Sequence, residues 1–353
     1  MQPQLTSNTA NLLARQQQLT TWLCEQLSVP HIQLASLTGD AGFRRYFRFQ
    51  IEVSNPTKLH SYIAVDAPNA GCNNPAFLAI QQLLKTNHIN VPNIIAENLT
   101  QGFFCLTDLG DQLLATNLTP NNVALYYQQA LTVSLNIAQI KPNKTLAIPI
   151  FDASFVQREL TIFVEWLLDQ HLKITLSVAQ QQQLQRCFEL LINNIIEQPQ
   201  VFMHRDFHSR NIMLTEGQLA VLDFQDAVIG PITYDVVSLL RDCYVRWPAP
   251  LVSSLFNSHY QQLSARFALP DISHAQWQRW FDLTGLQRHI KAAGIFARLF
   301  HRDGKSQYLA DIPLTLQYIV DISAQYPELS FIHQLVIEQV IPALPSLPTD
   351  NHE

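Results

Sequence analysis

Paired cysteines are missing from this sequence of 353 residues. Its five cysteines are scattered and form no Cys-x-x-Cys pair, which is typical of reduced thiols in a cytosolic protein. The twelve histidines are dispersed as well, and none lies in a His-Glu-x-x-His motif. The sequence therefore predicts reduced thiols and no helix that carries paired histidine metal ligands.

Long apolar runs and basic clusters are also missing. No run of about eighteen apolar residues occurs, so no transmembrane helix is expected. The first residues lack the basic start and apolar core of a signal peptide. Lysine and arginine number 22 against 28 acidic residues, for a net charge of −6. We therefore expect a cytoplasmic protein with no membrane or nucleic-acid partner, and no obligate protein partner is evident.

The composition is that of a globular chain, with 47% apolar and 14% charged residues. The length suffices for two lobes, and no internal repeat or low-complexity linker is visible. Strand patterns give way to helix patterns near Gly110. We therefore predict an N-terminal lobe over residues 1–110, a helical C-terminal lobe over 111–345 and a tail over 346–353.

Hydrophobic periodicity predicts the following elements. Strands are expected over residues 32–37, 45–53, 62–65, 91–96 and 102–107. Helices are expected over residues 11–27, 75–85, 121–138, 153–171, 176–198, 233–244, 251–267, 274–300, 312–325 and 328–344. The polar residues His301–Lys305 interrupt the apolar pattern abruptly and predict a break after the helix of residues 274–300.

One stretch, Met203–Asp235, combines several motifs. His204-Arg205-Asp206 is followed at a five-residue step by Asn211, and Asp223-Phe224 comes twelve residues later. The residues between them read as strand, turn and strand, so this hairpin is expected to bring Asp223 back beside Asn211. Each motif alone occurs by chance in many chains. Their occurrence together and in this order is far more specific.

The spacing suits phosphoryl transfer from ATP to a hydroxyl group. That reaction needs a carboxylate that orients the hydroxyl and accepts its proton, together with oxygen ligands for Mg²⁺. The pattern His-Arg-Asp-x-x-x-x-Asn supplies both groups. We therefore predict Asp206 as the catalytic base, and Asn211 and Asp223 as the metal ligands.

The same stretch resembles the aminoglycoside phosphotransferase and choline kinase-like family. Asp223-Phe224-Gln225-Asp226 stands where other kinases carry Asp-Phe-Gly, and Gly230-Pro231 and Tyr234-Asp235 fit the family pattern. The segments HRDFHSRN, DFQDAVIGPITYDVVSLLRDCYVRWP and GIFARLFHRDGKSQYLADIP are similar to the bacterial anomeric kinases of N-acetylmuramate and N-acetylglucosamine. The resemblance covers roughly residues 34–344.

This resemblance implies an α+β, two-lobe protein-kinase-like fold with a small antiparallel N-terminal sheet. It further implies ATP-dependent phosphorylation of the anomeric hydroxyl of an amino sugar in peptidoglycan recycling, with Mg²⁺. The first histidine of the motif, His204, is expected to be structural, and Asp235 is expected to anchor the catalytic loop.

The nucleotide site is predicted in the N-terminal lobe. Gly39, Asp40 and Gly42 lie in a strand-turn-strand whose backbone could approach phosphates; alone, the segment also fits an ordinary hairpin turn. The third strand has no lysine, and the following helix has no glutamate to pair with one. Arg44 or Arg45 is therefore expected to bind the phosphates instead. By resemblance, Thr107 and Leu109 lie at the adenine-binding crossover.

The sugar site is expected in the helical lobe. By resemblance, Glu165 and Trp166 contact the sugar, although charges such as Glu159 and Glu165 are more often the solvated face of a helix. Asp226 and Arg241 could also face the sugar. The lactyl carboxylate of N-acetylmuramate suits an arginine or lysine, for which there are three candidates. These are Arg241, Arg298 and Lys305.

Two rival functions stay open at this point. The chain could phosphorylate another small hydroxyl compound, such as an aminoglycoside, choline or homoserine. A cationic substrate would favour an acidic pocket, however, whereas Arg241-Asp242 and His301–Lys305 are mixed or basic. The chain could also be a nucleotide-binding pseudokinase scaffold. The missing lysine and glutamate support that alternative, and the intact Asp206, Asn211 and Asp223 oppose it.

Overall fold

A computed structural model describes residues 3–37, 43–53, 58–142, 146–267 and 272–345. The chain divides into two compact units. The first comprises Met1–Gln112 and Met213–Gln225, and the second comprises Leu113–Ile212 and Asp226–Glu353. The predicted lobe boundary after Gly110 stays a prediction, and the predicted tail lies outside the described residues.

The first unit contains an antiparallel five-stranded sheet in the order β1-β2-β3-β5-β4. Its strands are β1 (Ala35–Ser36), β2 (Arg45–Val53), β3 (Lys58–Asp66), β4 (Ile94–Asn98) and β5 (Phe103–Thr107). The helices are α1 (Pro3–Leu27) and α2 (Asn74–Thr86). The strands and helices expected in this region are confirmed, although β1 is shorter than predicted.

Helix α1 buries one apolar stripe against this sheet. Leu19 and Leu23 recur at a helical step and are fully buried, and Trp22 packs beside them. They share a core with alternate residues of β2, namely Phe47 and Phe49. Because the side chains of a strand alternate between its two faces, a nine-residue strand can present this apolar row to one helix.

The hairpin that follows the catalytic motif consists of β7 (Ile212–Thr215) and β8 (Gln218–Val221). Residues Met213–Gln225, which include nearly all of this hairpin, belong to the first unit. The backbone N–H of Val221 donates to the carbonyl of Asn90 at 2.8 Å. The predicted strand-turn-strand is therefore confirmed, and its second strand is attached to the first unit.

The second unit is helical and is built around a long helix, α9. Its helices are α3 (Leu114–Asn117), α4 (Val123–Ala138), α5 (Ala153–Ile162), α6 (Val178–Glu197), α7 (Tyr234–Leu240), α8 (Ala249–Arg266), α9 (His274–Asp303), α10 (Ile312–Ser323), α11 (Ser330–Leu335) and α12 (Ile341–Ala343). Helices α5, α6, α7 and α10 pack against α9. The mixed helix and strand fold predicted from the sequence is confirmed.

Two short strands, unforeseen in the sequence, support the catalytic motif. Strand β6 (Gln200–Met203) pairs antiparallel with β9 (Val228–Pro231), from Gln200 opposite Pro231 to Met203 opposite Val228. Four residues each are too few to show a clear alternation of apolar and polar residues. Strand β6 ends where the motif begins, so the pair fixes the starting point of the catalytic loop.

Several predicted helices differ from the structure in helix type or in where they end. The helix predicted over residues 153–171 is α-helical only to Ile162 and continues as a π-helix, Phe163–Leu172. Helix α7 ends at Leu240 rather than at residue 244. The polar residues after Phe300 do not interrupt α9, which continues to Asp303. It ends at Gly304, whose φ of +69° suits a glycine after a helix terminus.

Helix α9 packs tightly against a neighbouring backbone at Gly294. A Cβ atom at this position would lie 2.6 Å from the backbone nitrogen of Phe163 and 2.7 Å from the carbonyl carbon of Ile162. Only glycine fits at such a distance. Across the described part of the chain, no helix combines the length and apolar character needed to cross a membrane.

Candidate active site

The loop of residues 204–211, called the catalytic loop because it carries the predicted base Asp206, is anchored at its start by Asp235. This buried carboxylate, in the first turn of α7, accepts hydrogen bonds from the backbone N–H groups of His204 at 2.8 Å and Arg205 at 2.9 Å. Arg205 has a φ of +77°, a left-handed conformation that is unfavourable for a residue with a side chain. Asp235 therefore holds a strained backbone in place, which is the anchoring role that the sequence predicts.

The other end of the loop is anchored by Asp242. Its Oδ2 atom accepts hydrogen bonds from the backbone N–H of Ser209 at 3.0 Å and from the Ser209 hydroxyl at 2.5 Å. Between the anchors, the His208 ring meets the Tyr244 ring edge-on, with centroids 5.2 Å apart. Burial lowers the pKa of His208 to about 4, so this histidine is neutral at physiological pH.

Asp206 lies between these two anchors. Its side chain is 31% exposed, and its Oδ1 atom lies 3.9 Å from Nζ of Lys291 on α9. Burial by itself raises the pKa of Asp206, but the charges of Lys291 and Arg205 outweigh it and hold the pKa below its usual range. The group is therefore a carboxylate that can accept a hydrogen bond from a hydroxyl group.

Asn211 ends the same loop in a short 3₁₀ turn, Ser209–Asn211. Its Nδ2 atom donates to the backbone carbonyl of Asp206 at 3.0 Å. The amide therefore has its Oδ1 atom left to act as an oxygen ligand. Because Mg²⁺ prefers oxygen ligands, the residue fits the predicted metal role.

Asp223 belongs to the first unit and is exposed just after β8. It has a φ of +58°, and Nε2 of Gln225 donates to its Oδ1 atom at 2.5 Å. The next residue, Phe224, is buried and stacks on Phe77 of α2 with ring centroids 5.2 Å apart. This stack fixes the backbone beside Asp223. A carboxylate also suits Mg²⁺, and the pairing with Asn211 stays a prediction.

The two arginines proposed for phosphate binding have different surroundings. Nε of Arg45 donates to the buried carboxylate of Asp66 at 3.0 Å. The Arg44 guanidinium lies 5.1 Å from the centroid of the Phe77 ring. Its Nε and Nη2 atoms have no hydrogen-bond partner among the residues that the structure describes. Arg45 is therefore engaged within the protein, whereas two buried guanidinium donors of Arg44 are left without a partner in the described part of the chain.

The charges of Arg44 and Asp223 both affect the pKa of the Tyr46 hydroxyl. Burial and the negative charge of Asp223 raise the pKa of Tyr46 to about 12, and the positive charge of Arg44 opposes them. The first unit thus holds a cation and an exposed carboxylate near one tyrosine. This combination suits a phosphate group and its metal ion.

The rest of the predicted nucleotide site is only partly described. Gly39, Asp40 and Gly42 lie outside the described residues. Thr107 accepts a hydrogen bond from the backbone N–H of Asn93 at 2.9 Å, and Leu109 is partly buried. The adenine-binding roles of Thr107 and Leu109 stay predictions.

Arg48, a further cation of β2, is engaged at the same crossover. Its Nε atom donates to Oδ2 of Asp108 at 2.7 Å, and its Nη1 atom lies 2.8 Å from the carboxylate of Asp111. These bonds attach β2 to the segment that follows β5.

The predicted sugar-binding residues lie on several different elements of the second unit. Nη2 of Arg241 is bound to Asp282 at 2.5 Å. Its guanidinium also lies 4.3 Å from the centroid of the Phe281 ring, so Arg241 is engaged within the protein. Glu165 is exposed on the π-helix, and Trp166 packs partly against the helical core.

The three other candidates remain accessible to different degrees. Asp226 is exposed, and Lys305 is partly buried beyond the end of α9. Arg298 is also partly buried, and its Nε atom lacks a hydrogen-bond partner within the described ranges. Their roles in sugar binding stay predictions.

A buried charge cluster, formed by Glu159, Arg205 and Lys291, lies beside Asp206 and was not predicted from the sequence. The prediction that Glu159 lies on a solvated helix face is wrong, because only 4% of this residue is exposed. Its carboxylate binds Arg205 at 2.7 Å and Lys291 at 3.3 Å. The available signal was local: Val156 and Phe163, one turn before and after Glu159, are apolar, which puts the glutamate on the buried face.

Comparison with known proteins decides the family. The "Phosphotransferase enzyme family" matches residues 73–271. The chain belongs to this family. It is 37% identical over 334 residues to a Pseudomonas putida protein named N-acetylmuramate/N-acetylglucosamine kinase, covering 92% of this chain and 96% of that protein. The predictions that the chain belongs to this family and that it is a kinase are therefore confirmed.

Solved structures of other kinases share the fold. Choline kinase LicA from Streptococcus pneumoniae has a TM-score of 0.59 at 12% identity, covering 85% of this chain and 98% of that one. The streptomycin-ATP-APH(2")-IIa ternary complex has a TM-score of 0.55 at 13% identity, covering 84% and 94%. At such low identity these phosphotransferases support the fold alone.

Proposed function

We propose that the protein transfers the γ-phosphoryl group of ATP to the anomeric hydroxyl of N-acetylmuramate or N-acetylglucosamine. The product is the sugar 1-phosphate, an intermediate of peptidoglycan sugar recycling in the cytoplasm. The observation that carries the chemistry is the loop held at both ends by Asp235 and Asp242, with the partly exposed carboxylate of Asp206 between them. The sugar is proposed from the resemblance of the motifs and the name of the Pseudomonas putida relative.

Asp206 accepts the hydrogen bond of the C1 hydroxyl and orients its oxygen in line with the γ-phosphate. The proton passes to the carboxylate as the new oxygen–phosphorus bond forms, and the bond between the γ-phosphorus and the bridging oxygen breaks to release ADP. The anomeric hydroxyl is more acidic than an ordinary alcohol, so a carboxylate of low basicity suffices. Most of the rate enhancement then comes from positioning, as expected for phosphoryl transfer.

Asn211 and Asp223 are the proposed ligands of Mg²⁺, which neutralises phosphate charge when it is bound. Asn211 supplies an amide oxygen and Asp223 a carboxylate. Arg44 is the proposed phosphate-binding residue of the first unit, because Arg45 is already bound to Asp66. The segment with Gly39, Asp40 and Gly42 is proposed to cover the phosphates.

Several residues remain candidates for binding the two substrates. Thr107 and Leu109 are proposed to contact adenine. Asp226, Glu165 and Trp166 are proposed to contact the sugar. For the lactyl carboxylate we favour Arg298 or Lys305 over Arg241, because the guanidinium of Arg241 already binds Asp282.

The test is a measurement of ATP consumption with amino sugars, followed by identification of the product. A 1-deoxy analogue should bind without turnover, because it has no hydroxyl at C1, whereas a 6-deoxy analogue should still be phosphorylated. The product should be acid-labile, and its phosphorus should couple to the C1 proton in NMR spectra. Coupling to the C6 protons, or turnover of the 1-deoxy sugar, would contradict the proposal.

The same assay separates the rival functions. Turnover of choline, homoserine or an aminoglycoside, with none of the amino sugars, would indicate a kinase of another small hydroxyl compound. Binding of ATP without turnover of any acceptor would indicate a pseudokinase scaffold.

A further inference from the structure

A buried lysine of α9 lies directly behind Asp206. Lys291 is 6% exposed. Its Nζ atom lies 3.3 Å from Oε1 of Glu159, 3.3 Å from the hydroxyl of Tyr234 and 3.9 Å from Oδ1 of Asp206. Burying an ammonium group is unfavourable unless it is paired and hydrogen-bonded. All three neighbours are oxygen atoms, so the ammonium group is held from several sides.

Glu159 connects this lysine to the catalytic loop. Its Oε1 atom accepts a hydrogen bond from Nη2 of Arg205 at 2.7 Å, and its Oε2 atom accepts one from Nε2 of Gln287 at 3.0 Å. Arg205 directly precedes Asp206, and Gln287 lies one turn before Lys291 on α9. One carboxylate of α5 therefore ties the loop to α9 on the side of Asp206 that faces the protein interior.

The balance of charge directs Lys291 toward Asp206. Glu159 forms ion pairs with both Arg205 and Lys291, so two cations share this one carboxylate. The second carboxylate within ion-pair range of Lys291 is Asp206, which is 31% exposed, whereas Lys291 is not. The lysine thus contacts Asp206 from the interior of the protein. The part of the Asp206 carboxylate that is exposed to solvent faces away from the lysine.

We propose that Lys291, held by Glu159 and Tyr234, is a positioning residue that fixes Oδ1 of Asp206 and leaves Oδ2 for the acceptor hydroxyl. This inference rests on the proposed function, in which Asp206 orients that hydroxyl. Lys291 itself does not touch the substrate. Its contribution is to restrict the rotation of one carboxylate.

A purely structural role for Lys291 makes different predictions. In that case the lysine only joins α5, α7 and α9. Its loss then lowers the stability of the fold, lowers kcat and raises KM for the substrates. A positioning role instead lowers kcat while leaving KM for ATP and sugar unchanged, because binding does not require Asp206 to be oriented. Its effect also disappears when Asp206 is no longer a carboxylate.

The test is a double-mutant cycle of Lys291→Met and Asp206→Asn, measured as kcat with ATP and the amino sugar. On the wild-type background K291M should lower kcat by about 10²-fold, the scale of a misplaced catalytic group. On the D206N background the same change should alter the residual kcat by less than about three-fold, because residues that act as a unit are not additive. The exposed Lys85 of α2 provides the matched control, and K85M should have wild-type kinetics.

Folding is checked by thermal unfolding of each variant. If K291M does not fold, the cycle is run with Lys291→Gln, which keeps a hydrogen-bond donor in the same space. An equal loss of kcat on both backgrounds, or a higher KM at unchanged kcat, would overturn the positioning role. Wild-type turnover in D206N would instead overturn the proposed function. A large effect of D206N with none for Lys291 would overturn this inference alone.

Discussion

The Arg45 guanidinium is bound to the buried carboxylate of Asp66, with its Nε atom 3.0 Å from Oδ2. Arg15 of α1 binds the other oxygen of the same carboxylate, with its Nε atom 3.0 Å from Oδ1. Arg45 also donates to the carbonyl of Leu12. This arrangement joins α1, β2 and the end of β3. It gives Arg45 a structural task that its neighbour Arg44 does not share.

The first prediction separates these two adjacent arginines. Arg44→Ala should lower kcat/KM for ATP by about ten-fold or more, equivalent to about 1.4 kcal/mol, because its free donors are proposed to bind phosphate. Arg45→Ala should lower the melting temperature with a smaller effect on ATP kinetics. Steady-state kinetics and thermal unfolding of both variants test this. The reverse pattern would assign the phosphate contact to Arg45.

The second prediction concerns the base. Asp206→Asn should leave ATP affinity nearly unchanged and lower turnover by about 10²-fold or more, the usual scale for loss of general-base catalysis. Isothermal titration with ATP and a turnover assay provide the two measurements. Asp321→Asn is a suitable control, since Asp321 forms a partly exposed ion pair with Arg246 and such pairs contribute little. Unchanged turnover in D206N would remove Asp206 from the mechanism.

The third prediction concerns metal binding. Asp223→Ala should abolish Mg²⁺-dependent turnover, because the charged ligand is lost and Asn211 is neutral. Turnover is measured across a titration of Mg²⁺. If excess Mg²⁺ restores the wild-type maximal rate, Asp223 affects only the affinity for the metal, and unchanged activity would exclude it as a ligand.

The fourth prediction concerns Glu159 and pH. Burial raises the pKa of this carboxyl, but Lys291 and Arg205 outweigh it and hold the pKa below its usual range. A group with a depressed folded-state pKa stabilises the fold above its unfolded-state pKa, and this stabilisation is lost as the pH falls through the folded-state value. Below about pH 4, near the pKa of an unfolded glutamate, stability should therefore decline.

Urea unfolding of the wild type and of Glu159→Gln from neutral to acidic pH tests this expectation. The free energy of unfolding of the wild type should fall more steeply with acidification than that of E159Q, because glutamine does not titrate. Both proteins retain Asp206, so its own depressed pKa contributes to both curves. Parallel curves would show that Glu159 does not contribute to the acid sensitivity.

Structural features that depend on residues close together in the sequence could be predicted from the sequence. The order of Asp206, Asn211 and Asp223, the hairpin and most helices follow from spacing and apolar periodicity. The ion pair of Glu159 with Lys291 could not, because periodicity shows which face of a helix is polar but not which distant residue meets it. The ion pair between Arg45 and Asp66 could not be predicted from the sequence for the same reason. The π-helix after Ile162 has no composition that distinguishes it from an α-helix.

The contact at Gly294 affects the distance between Glu159 and Lys291. Gly294 lies three residues after Lys291, and Ile162 lies three residues after Glu159, so each close-packed residue shares a helix face with a member of the ion pair. Because Gly294 has no side chain, the two helices can pack closely enough for the carboxylate of Glu159 to reach the ammonium group of Lys291. A single methyl group there would wedge α5 away from α9 and draw Glu159 off Lys291, although every residue proposed to touch a substrate would still be present.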